Sequence, residues 1–219
     1  MVCRALEIRT AYPADRAAPL AGVPKSTLHY WARTRLLVPS ASEERVKLWS
    51  LDDLMALRII DWLRTDKEQA IRTPTPEIRL ALKQLHALSE EVWTAKDGAA
   101  IRVDRGGRMY FGRGDQTRTL DGQLVIGEVL DLLAPFAGAG GIQGPDLRRP
   151  RPHVRIVQGK LAGEPHIEDT RIETRALAAL ATRGFSPLEI VKMYPLVNRV
   201  QVEDALDLEQ QLARNLSAA

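Results

Sequence analysis

Several scarcities narrow the reading of this sequence before any motif does. It has a single cysteine, Cys3, among 219 residues. A lone cysteine excludes an internal disulfide framework and any cysteine-rich metal site. The four histidines, His29, His86, His153 and His166, stand far apart with no ligand spacing, so no metal and no cofactor is expected. No apolar run approaches the roughly 18 residues of a membrane span. The opening residues, MVCRALEIRT, are too polar for a secretory signal. The expected setting is therefore the cytoplasm, with no membrane contact. The glycine-rich stretch 138–141 has no Lys-Ser or Lys-Thr behind it, so it is a linker and not a phosphate loop. Arg113-Gly114-Asp115 reads as a turn. The acids Asp97, Asp104, Asp115, Asp121, Glu128 and Asp131 are spread through the middle of the chain in the manner of a surface. A metal-nuclease site there is the weakest reading, and no catalytic residues are expected.

What is present is unevenly charged. The formal net charge is only +3. Residues 1–49 hold eight Lys and Arg against four Asp and Glu, a net +4, whereas residues 150–219 hold nine of each. A basic end is a mild pointer to an anionic partner. In that end, a short helix over 16–20 with Asp15 as its cap is followed by the turn Ala21-Gly22-Val23. Pro24 suits the first turn of a second helix, over 24–35, because its missing N–H is not needed there. Residues 45–49 alternate basic and apolar, the period of a half-buried strand. Ser50 and Asp53 have capping-box spacing ahead of a third helix. The order is helix, turn, helix, basic wing, helix.

In a helix-turn-helix the second helix lays its N-terminal part in the major groove. Such a helix carries polar or basic residues on one side and apolar anchors on the other. Lys25, Ser26, Thr27, His29, Tyr30 and Arg33 supply the first set; Val23, Leu28 and Trp31 supply the second. Arg45 and Lys47 on the wing are placed to reach phosphates, contacts that add affinity without reading sequence. From the residues alone, a small three-helix domain with a solvated polar face stays equally open. Gly22-Val23, Thr27 to Trp31, Leu36-Leu37 and Pro39, followed by Lys47 to Ser50, Asp53-Leu54 and Leu57 to Ile60, resemble the MerR-type winged helix-turn-helix. The resemblance spans about residues 12–64 and implies DNA binding. The helix expected next, over 77–91, is short for the long dimerising coiled coil of MerR regulators.

Further along, 100–103 and 109–111 read as two strands around Arg105-Gly106-Gly107. Residues 124–133 read as a helix, and 137–152 as a flexible, breaker-rich linker. In the last part, a helix over 174–183 ends at Gly184. Ser186-Pro187-Leu188-Glu189 opens a second helix, and Asn198 to Gln201 opens a third, running to about residue 214. The expected fold is mainly α with small β elements. It comprises a winged helix domain (1–66), a small α+β middle region (67–136), the linker (137–152) and a C-terminal helix-turn-helix-like domain (153–219).

That last domain also resembles a family. Pro165 to Thr174, Leu177-Ala178, Gly184 to Ile190, Tyr194-Pro195 and Val202 to Leu206 are similar, in order, to a small helical domain of unknown function. Its members resemble antitoxins encoded beside a PIN-like nuclease toxin. The family's glycine before Thr170-Arg171-Ile172 is here Asp169. The combination is similar to a VapB-type antitoxin and implies operator DNA, a PIN-like toxin and a homodimer as partners. The final helix carries Glu203, Asp204, Asp207 and Glu209, which phosphate would repel. It is therefore expected to pack on protein, with Val200, Val202, Leu206, Leu208 and Leu212 serving a dimer or toxin interface. An ordinary internal core with a solvated acidic face is the open alternative. Arg171, Leu206, Glu209, Leu212 and Arg214 are the candidates for toxin or dimer contact, with residues 210–219 read as an arm whose final few residues fit a frayed C-terminus better.

Overall fold

The computed structural model describes residues 10–64, 73–94, 99–113, 118–119 and 129–218. Three helices open the chain: α1 (Ala14–Ala21), α2 (Lys25–Arg33) and α3 (Leu51–Arg64). Their apolar faces meet through Ala17, Leu20, Leu28, Trp31, Leu54 and Leu57, all buried. Asp15 sits in the first turn of α1 and does not cap it; Pro13 occupies that position without a side-chain bond. Pro24 is likewise the residue before α2. Ser50 and Asp53 form the expected box: the Ser50 N–H donates to Asp53 Oδ2 at 2.7 Å, and the Asp53 N–H donates to Ser50 Oγ at 3.1 Å. Ser40 also donates to Asp53 through its N–H, at 2.9 Å, so one carboxylate ties the wing to α3.

The long helix α4 (Thr75–Thr94) packs on α3 with Ile78, Ala81 and Leu85, spaced three and four apart along one face. It exceeds the expected 77–91 at both ends. An antiparallel sheet of order β3-β2-β1-β4 follows. Its strands are β1 (Ala99–Asp104), β2 (Met109–Arg113), β3 (Arg118–Thr119) and β4 (Val129–Asp131). The helix expected over 124–133 is corrected here. Residues 124–128 lie outside the described residues, and 129–131 pair as a strand with Asp104, Val103 and Arg102. A short apolar run does not declare its period, and the open edge of β1 decided it. Arg105, in the β1–β2 turn, donates to the Trp62 carbonyl at 2.6 Å and stacks 3.9 Å above that indole.

Residues 137–152, expected as a flexible linker, are packed in place. The hairpin β5 (Phe136–Ala137) and β6 (Gln143–Gly144) lies against the α1–α2 turn. The glycines serve close backbone approach: a Cβ on Gly138 would lie 1.9 Å from the Gly22 carbonyl oxygen. Leu147 and Val154 are buried beyond it. A two-stranded ribbon, β7 (Val154–Arg155) and β8 (His166–Ile167), leads into α5 (Thr174–Thr182), α6 (Pro187–Met193) and α7 (Arg199–Ser217). The capping boxes at Ser186 and Asn198 are both formed. Asp169 takes φ 58, a left-handed conformation that favours glycine. Aspartate tolerates that region better than most residues. The fold is mainly α with small antiparallel sheets, as expected.

The arm expected over 210–219 is also corrected. Helix α7 continues to Ser217 and packs on α1, α5 and α6. Leu212 is buried, and Asn215 Nδ2 donates to the carbonyls of Pro19 at 3.2 Å and Gln143 at 2.6 Å. The C-terminal helix is thus part of the core that carries α1.

Candidate nucleic-acid interface

The α1–α2 turn is built for a sharp angle. Gly22 has φ 78 and closes α1, with the N–H groups of Gly22 and Val23 both donating to the Ala18 carbonyl, at 3.0 and 3.1 Å. Behind the turn, Arg58 of α3 is fully buried and donates to five carbonyls. Two of them, Leu20 and Ala21, end α1; the others belong to Leu132, Ala134 and Pro145. Its guanidinium carbon lies 5.6 Å from the centre of the Phe136 ring. Burial pushes its pKa down to about 9, against the pull of Asp146 and Asp131, so it remains a cation at neutral pH. The free carbonyls at the end of α1 carry negative partial charge, and a buried guanidinium is a good match for them.

This bracing fixes the direction of α2. Ser26, His29, Tyr30 and Arg33 are exposed and fall three or four residues apart, along one outward stripe. Arg33 leans 5.9 Å over the Tyr30 ring. Thr27 and Lys25 are half-buried, and Lys25 is ion-paired to Asp15 of α1. Leu28, Trp31 and Ala32 face inward. The wing holds Arg45 and Lys47 exposed on either side of Val46, itself 62% exposed. The expected wing strand is reduced to single bridges, Ser42 to Leu48 and Tyr12 to Trp49. The wing is too short for a ladder, and its bend turns Val46 outward where alternation would bury it. All eight residues singled out for DNA contact therefore lie on α2 and the wing, with six of them exposed.

The C-terminal candidates are not gathered in the same way. Leu212 is buried, as are Val202 and Leu208; Arg171 and Arg214 are exposed; Leu206 is intermediate. Glu209 is engaged inside the molecule. Both its oxygens accept from the Arg16 guanidinium at 2.7 Å, and Thr174 donates to it as well. Arg16 also donates to Glu164 at 2.9 Å. Burial works against the Arg16 charge, but these two carboxylates hold its pKa above the usual value. The other acids of α7 also have partners: Asp204 holds His153, while Asp207 pairs with Arg151 and Glu203 with Arg199 at the surface. Tyr12 completes the junction with a 2.6 Å bond from its hydroxyl to the Gly163 carbonyl.

Sequence reasoning missed Arg16, Arg58, Glu164 and Asn215 as structural anchors. Only Arg58 gives any signal, a single cation inside the apolar run from Leu54 to Ile60. Of the middle acids, Asp104 accepts from the Arg108 N–H at 2.9 Å and Asp131 from the Leu133 N–H at 3.0 Å, both turn-forming roles. Asp97, Asp115, Asp121 and Glu128, like Cys3, lie outside the described residues. Among the described residues there is no cluster of potential metal ligands, and no helix is long and apolar enough to cross a membrane.

Comparison with known proteins agrees with the two ends of this architecture. No curated protein and no solved structure matches the chain. Residues 154–208 match the model of a protein family of unknown function, DUF433. Residues 12–67, which hold α1, α2, the wing and α3, match the model of the MerR helix-turn-helix family of regulatory proteins.

Proposed function

We propose that this protein is a DNA-binding regulator whose N-terminal unit holds operator DNA and whose C-terminal unit binds a second protein. The observation that carries the DNA half is the stripe Ser26, His29, Tyr30 and Arg33, exposed on a helix whose entry angle is fixed from behind by Arg58. The match of residues 12–67 to MerR regulatory proteins supports it. In this reading α2 enters the major groove, and Arg45 and Lys47 grip phosphates beside it. A homodimer on an inverted repeat supplies the affinity one unit lacks. A mobility shift with operator DNA tests the assignment. Arg33→Ala and Lys25→Ala are expected to weaken binding, and unchanged affinity in both would remove α2 from the interface.

For the C-terminal unit the reading is an antitoxin of a type II pair, neutralising a PIN-like ribonuclease by occlusion and without catalysis of its own. It rests on the order of motifs from Pro165 to Leu206. Co-purification with the product of the adjacent reading frame, followed by a nuclease assay, tests it. Failure to form a complex leaves a homodimeric regulator without a toxin partner. The exposed apolar side chains of the C-terminal unit favour some protein partner in either case.

A further inference from the structure

Helix α1 belongs to the helix-turn-helix, yet the other end of the chain encloses it. Ala17 to Ala21 are all buried, and five consecutive residues go more than once round a helix. Residues 162–164 and α7 grip this helix at three levels. At its entry, the Ala11 N–H donates to the Ala162 carbonyl at 3.0 Å, and the Tyr12 hydroxyl donates to the Gly163 carbonyl at 2.6 Å. In its first turn, Arg16 reaches Glu164 at 2.9 Å and Glu209 at 2.7 Å. Near its exit, Asn215 donates to the Pro19 carbonyl at 3.2 Å. The last four carbonyls of α1, which no helical N–H can satisfy in full, are thereby shared out. That of Ala18 goes to Gly22 and Val23, that of Pro19 to Asn215, and those of Leu20 and Ala21 to Arg58. The end from which α2 departs is capped in part by α7.

These contacts are directional. Apolar packing alone would hold the two surfaces together and serve stability as well as a buried ion pair does. A guanidinium forked on one carboxylate and held by a second accepts one geometry. The strap that supplies Glu164 is itself constrained. Leu161, Ala162 and Gly163 take φ 52, 52 and 85, and the first two residues are unfavourable there. Such a backbone persists only where its surroundings hold it, and it turns two carbonyls toward Ala11 and Tyr12. We infer that the C-terminal unit is a positioning element for DNA reading. Through the 161–164 strap, Glu209 and Asn215 it fixes α1, and with it the direction in which α2 presents Ser26, His29, Tyr30 and Arg33. This rests on the reading of α2 as the DNA-contacting helix. It gives the C-terminal unit a task in DNA binding that needs no second protein.

The test uses the full-length protein and two duplexes, one from the region upstream of its own reading frame and one of the same composition in shuffled order. Binding is read by fluorescence anisotropy at a temperature where circular dichroism shows each variant folded. Glu209→Gln and Asn215→Leu are each expected to cut the preference for the upstream duplex about fivefold or more. Binding to the shuffled duplex, set by phosphate contacts, is expected to stay within about twofold of the wild type. Glu203→Gln makes the same charge change at an exposed position of α7 and is expected to keep the full preference. Should Glu209→Gln fail to fold, Tyr12→Phe, which removes one hydroxyl at the strap, takes its place in the same assay. Equal changes in Glu209→Gln and Glu203→Gln would mean a charge effect, and equal weakening on both duplexes would mean partial unfolding; either overturns the inference. If every folded variant keeps the wild-type preference, the positioning role is overturned and the DNA reading stands. If the wild type itself does not prefer the upstream duplex, the operator reading falls and takes the positioning role with it.

Discussion

The two helix-turn-helix shapes in this chain spend their charges in opposite directions. On α2 and the wing, Arg33, Arg45 and Lys47 point to solvent. On α7, Asp204 and Glu209 are largely covered and turn back to His153 and Arg16, while Asp207 pairs with Arg151 at the surface. Residue counts describe both helices as charged. Only the partners show that one set is available to a ligand and the other holds the fold together. An acid on a helix therefore need not be a surface charge: Glu209 is held inside the molecule, whereas Glu203 and Asp207 stay exposed.

The largest effect is expected at the brace beneath α2. Arg58→Met removes a buried guanidinium and strands five carbonyls. Denaturant unfolding is expected to show a loss of about 3–5 kcal/mol. A loss below about 1 kcal/mol would mean that the carbonyls find other partners. Next in size is Glu209→Ala, which leaves Arg16 buried with Glu164 alone. It is expected to cost about 2–4 kcal/mol in the same measurement. A surface carboxylate would cost less than about 0.5 kcal/mol, and that result would return Glu209 to the list of partner-binding residues.

The outward set should behave in the reverse manner. Lys47→Ala is expected to leave stability within about 0.5 kcal/mol. Operator affinity should fall evenly across sequences, with the salt slope reduced by about one. A binding isotherm at several salt concentrations checks this, and an unchanged slope would take the wing off the phosphates. The smallest effect is expected at Asp169, held at φ 58. Asp169→Gly relieves a left-handed strain and is expected to raise stability by a few tenths to about 1 kcal/mol, less the greater freedom of glycine in the unfolded chain. A thermal melt checks this, and a lower melting temperature would mean that the aspartate is not strained there.

Much of the candidate interface was legible in the sequence because it depends on local rules. Periodicity separated Leu28 and Trp31 from Ser26 and Arg33, and all four lie on the sides expected. Capping residues placed the starts of α3, α6 and α7. Where local rules ran out, the reading failed for identifiable reasons. Glycine and proline at 138–152 signal flexibility and close packing with the same letters, and Gly22 across the fold chose packing. Val129 to Asp131 fits either period, and the edge of β1 chose the strand.

Local rules sufficed for the helices of the two ends and for the outward face of α2, since each follows from residues within one or two turns of one another. The tertiary structure alone decided which charges are free. Arg16 and Glu209 are far apart in the chain, yet α7 lies on α1 and brings their charged groups to 2.7 Å. A charge is functional or structural according to what lies opposite it, and no local pattern records that.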